Sequence, residues 1–277
     1  MAKRLAQSRK ADLVTLAEEV VKYHSAEGRA TNLLKIVSEN EIGLHFDDYG
    51  NSFDGALEIA DGQFHIHVNL SKCISPDSGR SRFTLAHELG HFFIEEHRHA
   101  LISGEQPHGS TCGMFDSADT PEELEADIFA AYLLMPPSKF ISAIRSSDSP
   151  LAAIKHLATL FRSSLTSTAI HYASVAADRC AIVRWTADGE FAWPRIGKGY
   201  YAEGFRRLQY ANGSIPAPDS ATGIVIAGSE QESETVSTTP VLFTHVAAGR
   251  FRDHLLKEEA IALGEYGFMT IISDLDI

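Results

Sequence analysis

At 277 residues, 44% of them hydrophobic and 22% charged, the chain can bury a substantial core and divide into one larger and one smaller domain. A formal net charge of -13 argues against a sequence-independent grip on DNA, because phosphate binding needs clustered Lys and Arg. Cys73, Cys112 and Cys180 are odd in number and widely spaced, so neither a disulfide framework nor a CxxC metal site is implied. The N-terminal MAKRLAQSRKADLV has charge but no apolar h-region, and no run of about 18 apolar residues follows. The expected protein is cytoplasmic, does not engage a membrane, and meets a DNA-binding protein rather than DNA.

In chain order, Leu13 to Tyr23 and Ala30 to Ser38 carry helical spacing of apolar residues, with a break near Gly28, and read as a helical lead-in. Ala56 to Ala60 and Gln63 to Asn69 alternate and flank Asp61-Gly62, which predicts a hairpin. In FHIHVNL, His65 and His67 fall on one face and Ile66 and Val68 on the other. The histidines read as the polar face of a half-buried strand.

The segment RFTLAHELGHFFIEEH follows. His87 and His91 stand at i and i+4, so a helix places both imidazoles on one side, one turn apart, where one zinc ion can be held. Neutral imidazoles bind zinc without cancelling its charge, which acidifies a bound water, and Glu88 can take that proton as general base and return it as acid. The flanking Leu85, Ala86, Leu89, Phe92 and Phe93 imply a buried helix, in which two unpaired histidines would carry a desolvation cost. Residues 97–120 are rich in Gly, Ser and His without a clear period and read as a mobile loop. His97, His99 and His108, with Cys112, are its candidate extra ligands.

A third zinc ligand is sought in TPEELEADIFAAYLLMPP. Thr120 suits an N-cap, Pro121 the first helical position, and Pro136 with Pro137 a stop. Glu123 and Asp127 share a face, as a ligand and an acceptor for the far nitrogen of a zinc-bound histidine would. Thr120-x-x-Glu123 is equally a capping box, and spacing alone leaves both roles of Glu123 open.

Beyond Pro137, Lys139 to Arg145, Leu151 to Phe161 and the segment after SSLTSTAIHYA begins read as helices. The last two resemble a helix-turn-helix pair, but without a basic stripe they read as structural. From about Asp178, CAIVRW and EFAWPRI flank Thr186 to Gly189 as a hairpin. Ile224 to Ile226 and Met269 to Ile272 read as further strands, with Trp185 and Trp193 as core.

RFTLAHELGH followed by ExxADxFAAYLLMP resembles the ImmA/IrrE family of zinc metallopeptidases, over about residues 10 to 175. The resemblance implies zinc ligands His87, His91 and Glu123, catalytic Glu88, and Asp127 where the family has Asn or Asp behind a ligand. It also implies a zinc endopeptidase that cleaves a helix-turn-helix transcriptional repressor and so derepresses stress-response or mobile-element genes. By analogy with such peptidases, strand 64–70 is expected to pair with the scissile peptide.

The expected architecture is α+β. Residues 1–175 form a zincin-like, gluzincin-type metallopeptidase domain that includes the helical lead-in and the helix pair of 139–175. Residues 176–277 form a small mixed α/β domain for sensing or docking. Tyr132, His171 and Tyr172 are candidates for stabilising the oxyanion. The rival is a non-catalytic regulator that inhibits its partner by binding, with zinc closed by a fourth protein ligand such as His97 or Cys112.

Overall fold

The computed structural model describes residues 5–24, 30–71, 75–104, 120–144, 149–246 and 254–275. The chain divides into two compact units, residues 1–143 with 157–167 and residues 144–156 with 168–277. The chain passes between them three times, after Ala143 at a helix end and after His156 and Ser167 inside two further helices, whereas the sequence suggests one cut after residue 175.

In the first unit, α1 (Gln7–His24) buries Leu13, Ala17, Val20 and Val21, the i, i+4, i+7, i+8 stripe of an amphipathic helix. Asn32 caps the short α2 (Leu33–Glu39), its side chain accepting from Lys35 N at 3.1 Å. The break expected near Gly28 lies outside the described residues. Three strands follow, β1 (Gly43–Asp47), β2 (Gly55–Ala60) and β3 (Gln63–Asn69), in the spatial order β1-β3-β2. Asp61 and Gly62 have φ of 52° and 79°, the pair of positive angles that a type I′ hairpin turn requires. β1 lies parallel to β3, and β2 antiparallel to it.

That order corrects one expectation. β3 is the central strand, with both backbone edges already paired, so it has no row of donors and acceptors left for a substrate. Its inner face, Ile66 and Val68, is fully buried with Leu57 of β2, while His65 and His67 face outward.

α3 (Gly79–Phe93) packs across the sheet, with Phe92 edge-on to Phe64 at 5.0 Å between ring centroids. Ser78 caps it, accepting from Ser81 N. Buried Arg82 donates to the carbonyls of Thr31 and Arg162 and so ties the helix to two connecting segments. Residues 97–102, expected to belong to a loop, fall in α4 (Glu95–Ile102), with Glu95 and Glu96 favourably placed in the first turn. Residues 105–119, with His108 and Cys112, lie outside the described residues.

α5 (Pro121–Leu134) starts on Thr120, whose hydroxyl accepts from Glu123 N at 3.3 Å, and buries every residue from Ala126 to Leu134. A helix apolar on all sides belongs in the middle of a unit. It packs on both α1 and α3. α6 (Pro137–Ala143) follows after two residues, and Phe140 meets Phe161 at 5.3 Å.

The helices α7 (Pro150–Phe161) and α8 (Leu165–Val175) contribute residues to both units. In the second unit, β4 (Cys180–Trp185), β5 (Phe191–Ile196), β7 (Glu232–Thr238), β9 (Leu255–Ala262) and β10 (Phe268–Asp274) form an antiparallel sheet ordered β5-β4-β10-β9-β7. β6 (Phe205–Leu208) and β8 (Phe243–Val246) make a smaller pair beside α9 (Lys198–Ala202). Trp185 is buried with Tyr200 and Phe205, and its indole N–H donates to Thr270 Oγ1 at 2.8 Å. Trp193 is half-buried.

Ile224 to Ile226 are not a strand. They end α10 (Ala221–Ile226), started by Ser220 Oγ accepting from Gly223 N, and α10 packs on β9. Three consecutive apolar residues cannot tell a buried strand from a buried helix, and here the cap and the neighbouring sheet decide. Among the described residues no helix is long and apolar enough to cross a membrane.

Candidate metal centre

Helical spacing brings His87 and His91 to one side of α3, where their Nε2 atoms stand 3.1 Å apart and both residues are buried. α5 supplies the third group. Glu123 places Oε2 3.2 Å from His87 Nε2 and Oε1 3.5 Å from His91 Nε2. The donor atoms of His87, His91 and Glu123 thus lie within one ligand-sized cluster. Ligands held tetrahedrally at about 2.0–2.1 Å from zinc are separated by roughly 3.3 Å, so these spacings fit such an ion.

Asp127 completes the arrangement behind His87. It sits one turn beyond Glu123, 2% exposed, with Oδ1 2.9 Å from His87 Nδ1. A carboxylate there holds the ring proton on Nδ1 and leaves the Nε2 lone pair directed at the cluster. Burial pushes the Asp127 carboxyl above its usual range, and the hydrogen bond and charge of His87 pull it back.

Two glycines make this geometry possible. A Cβ on Gly90, inside the His-Glu-Leu-Gly-His turn, would stand 3.2 Å from Ala126 Cα and from Phe129 Cδ1. The missing side chain lets the α5 backbone approach closely enough for Glu123 and Asp127 to reach the histidines. A Cβ on Gly55, at the start of β2, would stand 2.6 Å from Glu88 Oε1 and 2.5 Å from Thr84 Cγ2. Fully buried Glu88 therefore lies directly over the β2 backbone. Neither glycine was marked by the spacing rules that find the histidines, because what each one contacts is distant in sequence.

The other candidates fall elsewhere. His97 is buried on α4, its ring 5.1 Å from that of His91, with Nε2 3.3 Å from Glu125 Oε2. Glu125 takes a forked pair of hydrogen bonds from Arg9 of α1, at 2.9 and 2.5 Å, and Arg9 also reaches Glu96 at 3.1 Å. This network ties α1, α4 and α5 together beside the metal cluster, and the sequence carried no signal for it. His99 is exposed on α4, 3.7 Å from Glu95. Tyr132 is buried with Lys10 Nζ 5.7 Å from its ring centre. Tyr172 and His171 belong to the second unit, where the Tyr172 hydroxyl donates to Asp178 in a short hydrogen bond.

Residues 41–171 match the family described as peptidase M78, IrrE N-terminal-like domain. No curated protein matches the chain. Among solved structures, a Mycobacterium tuberculosis transcriptional regulator is similar with a TM-score of 0.58 at 15% identity, over 96% of this chain and 78% of that one, a likeness of fold. The matched stretch, residues 41–171, holds the two histidines, Glu88, Glu123 and Asp127, so the candidate metal centre lies within the part of the chain that is similar to the peptidase M78, IrrE N-terminal-like domain.

Proposed function

We propose that the chain is a cytoplasmic zinc-dependent endopeptidase, of zincin-like, gluzincin type, that cleaves a helix-turn-helix transcriptional repressor. The observation that carries this reading is the ligand-sized cluster of His87, His91 and Glu123, with Asp127 fixing the His87 tautomer, inside a peptidase-family domain. His87, His91 and Glu123 would hold the ion. When bound, zinc supplies a Lewis acid that polarises a peptide carbonyl and lowers the pKa of a water.

Glu88 takes the proton of the attacking water and delivers it to the departing amine nitrogen, so one carboxylate serves as base and then acid. Its burial against Gly55 restricts its rotamers, which keeps the proton transfer short. β2 pairs only with β3 among the described strands. The edge strand beside Glu88 is thus the one to align a scissile peptide in extended form. The charge of -13 favours approach of a basic partner, as a DNA-binding repressor is. The similar mycobacterial structure, titled a transcriptional regulator, is in keeping with a regulatory setting. The second unit is assigned the docking or sensing of that partner.

The test is co-expression with a helix-turn-helix repressor encoded nearby, using wild type and Glu88→Gln, with intact-mass readout. Cleavage by wild type alone is expected, because Gln keeps the side-chain size and loses the proton acceptor. An intact repressor in a stable complex with zinc-loaded wild type would instead favour the binding regulator.

A further inference from the structure

On the outer face of the first sheet, opposite the side covered by α3, three histidines from two adjacent strands come together. His45 of β1 is the register partner of His67 on β3, and Gly43 that of His65. His45 Nε2 and His65 Nδ1 stand 3.2 Å apart, with ring centroids 5.4 Å apart. That separation matches the 3.1 Å between the Nε2 atoms of His87 and His91, and it is close to the roughly 3.3 Å edge of a tetrahedral zinc site.

The surroundings hold this pair in place. The His67 ring stacks on His45 at 4.7 Å and 17°. His67 is fixed in turn by the Tyr49 hydroxyl at Nδ1 and by Glu58 Oε1 at Nε2, both at 2.9 Å. Glu58 is also the cross-strand partner of His65, which brings a negative charge to the same face. Gly43 supplies the room: a Cβ there would lie 2.2 Å from His65 Nδ1, so any side chain would push that ring away from His45.

We propose that His45 Nε2 and His65 Nδ1 form a second metal site, separate from the His87 cluster, for a borderline divalent cation of the zinc, nickel or copper kind. Imidazole nitrogen is the donor such ions share. His45 is exposed and His65 half-buried, so water completes the coordination and the affinity is moderate. The ion would clip β1, which among the described strands is paired only to β3, onto the sheet.

The test is calorimetric titration of Zn2+ into the metal-stripped full chain, as wild type, His45→Ala, His65→Ala and Gly43→Ala, with His99→Ala as an exposed-histidine control. The expected result is an equivalent of moderate affinity in wild type and His99→Ala that disappears in His45→Ala and His65→Ala and weakens at least tenfold in Gly43→Ala. Circular dichroism confirms that each variant is folded. Absence of this equivalent from wild type, or its persistence in both His45→Ala and His65→Ala, would overturn the proposal.

Discussion

Asp127 Oδ1 lies 2.9 Å from His87 Nδ1, joining the central helix of the first unit to the histidine helix across forty residues of sequence. The contact decides which imidazole nitrogen carries the proton, and so which one is offered to a metal. Asp127→Ala should weaken Zn2+ binding roughly 10–100-fold. Asp127→Asn should lose far less, because its amide oxygen still accepts from Nδ1–H. Competition against a chromophoric chelator reads both, and equal losses in the two variants would remove the orienting role.

Close approach of α3 and α5 at Gly90 predicts a coupled effect on stability and binding. Gly90→Val forces side-chain atoms into Ala126 and Phe129 and should destabilise the protein by about 1–3 kcal/mol. Zinc affinity should fall with it, because Glu123 and Asp127 retreat from the histidines. Thermal melting with and without Zn2+ measures the two; a variant with native melting and native zinc affinity would show that the helices do not need this glycine.

Gly55 bears on the reaction and not on the ion. Gly55→Ala displaces the Glu88 carboxylate, whose Oε1 occupies the space of the new methyl. Repressor cleavage should slow on the order of 10²-fold, the cost of misplacing a reacting group by about 1 Å, while Zn2+ affinity stays unchanged. Single-turnover cleavage assays with parallel metal titration separate these outcomes.

In the second unit, Glu258 is 1% exposed in the middle of β9, hydrogen-bonded by Ser237 at 2.5 Å, and burial holds its carboxyl above the usual range. A raised folded pKa means that the native state keeps the proton longer than the unfolded chain does. The stability it provides is full below the unfolded pKa and falls as pH rises through the folded one. Glu258→Gln should therefore raise Tm at pH 7 to 8, by about 2–4 °C per kcal/mol recovered, with little gain near pH 4. A melting series across that range reads the difference, and a Tm gain independent of pH would argue for packing as the cause.

The same thermodynamic sign applies to Cys180, fully buried, with its thiol pushed up to about 12 by burial. Reactivity needs the thiolate. In a Cys73→Ser, Cys112→Ser background, alkylation at pH 8 should be slow in the native protein and fast in denaturant, and rapid native labelling would contradict the burial.

What the sequence determined by itself is local. The i, i+4 histidines, the Thr120-Pro121 start of α5, the Asp61-Gly62 turn and the alternation of β3 each depend on neighbours within about one turn of helix or one hairpin, and all formed where the pattern put them. Spacing leaves Glu123 between capping its helix and facing the histidines, since both roles use the same interval. Only the packing of α5 on α3 turned its carboxylate oxygens toward His87 and His91. The strand order that makes β3 central, the helical state of Ile224 to Ile226, and the roles of Gly55 and Gly90 were also decided by tertiary structure. Each rests on a partner dozens of residues away, and a periodic pattern reports which face of an element is apolar without reporting what that face will meet.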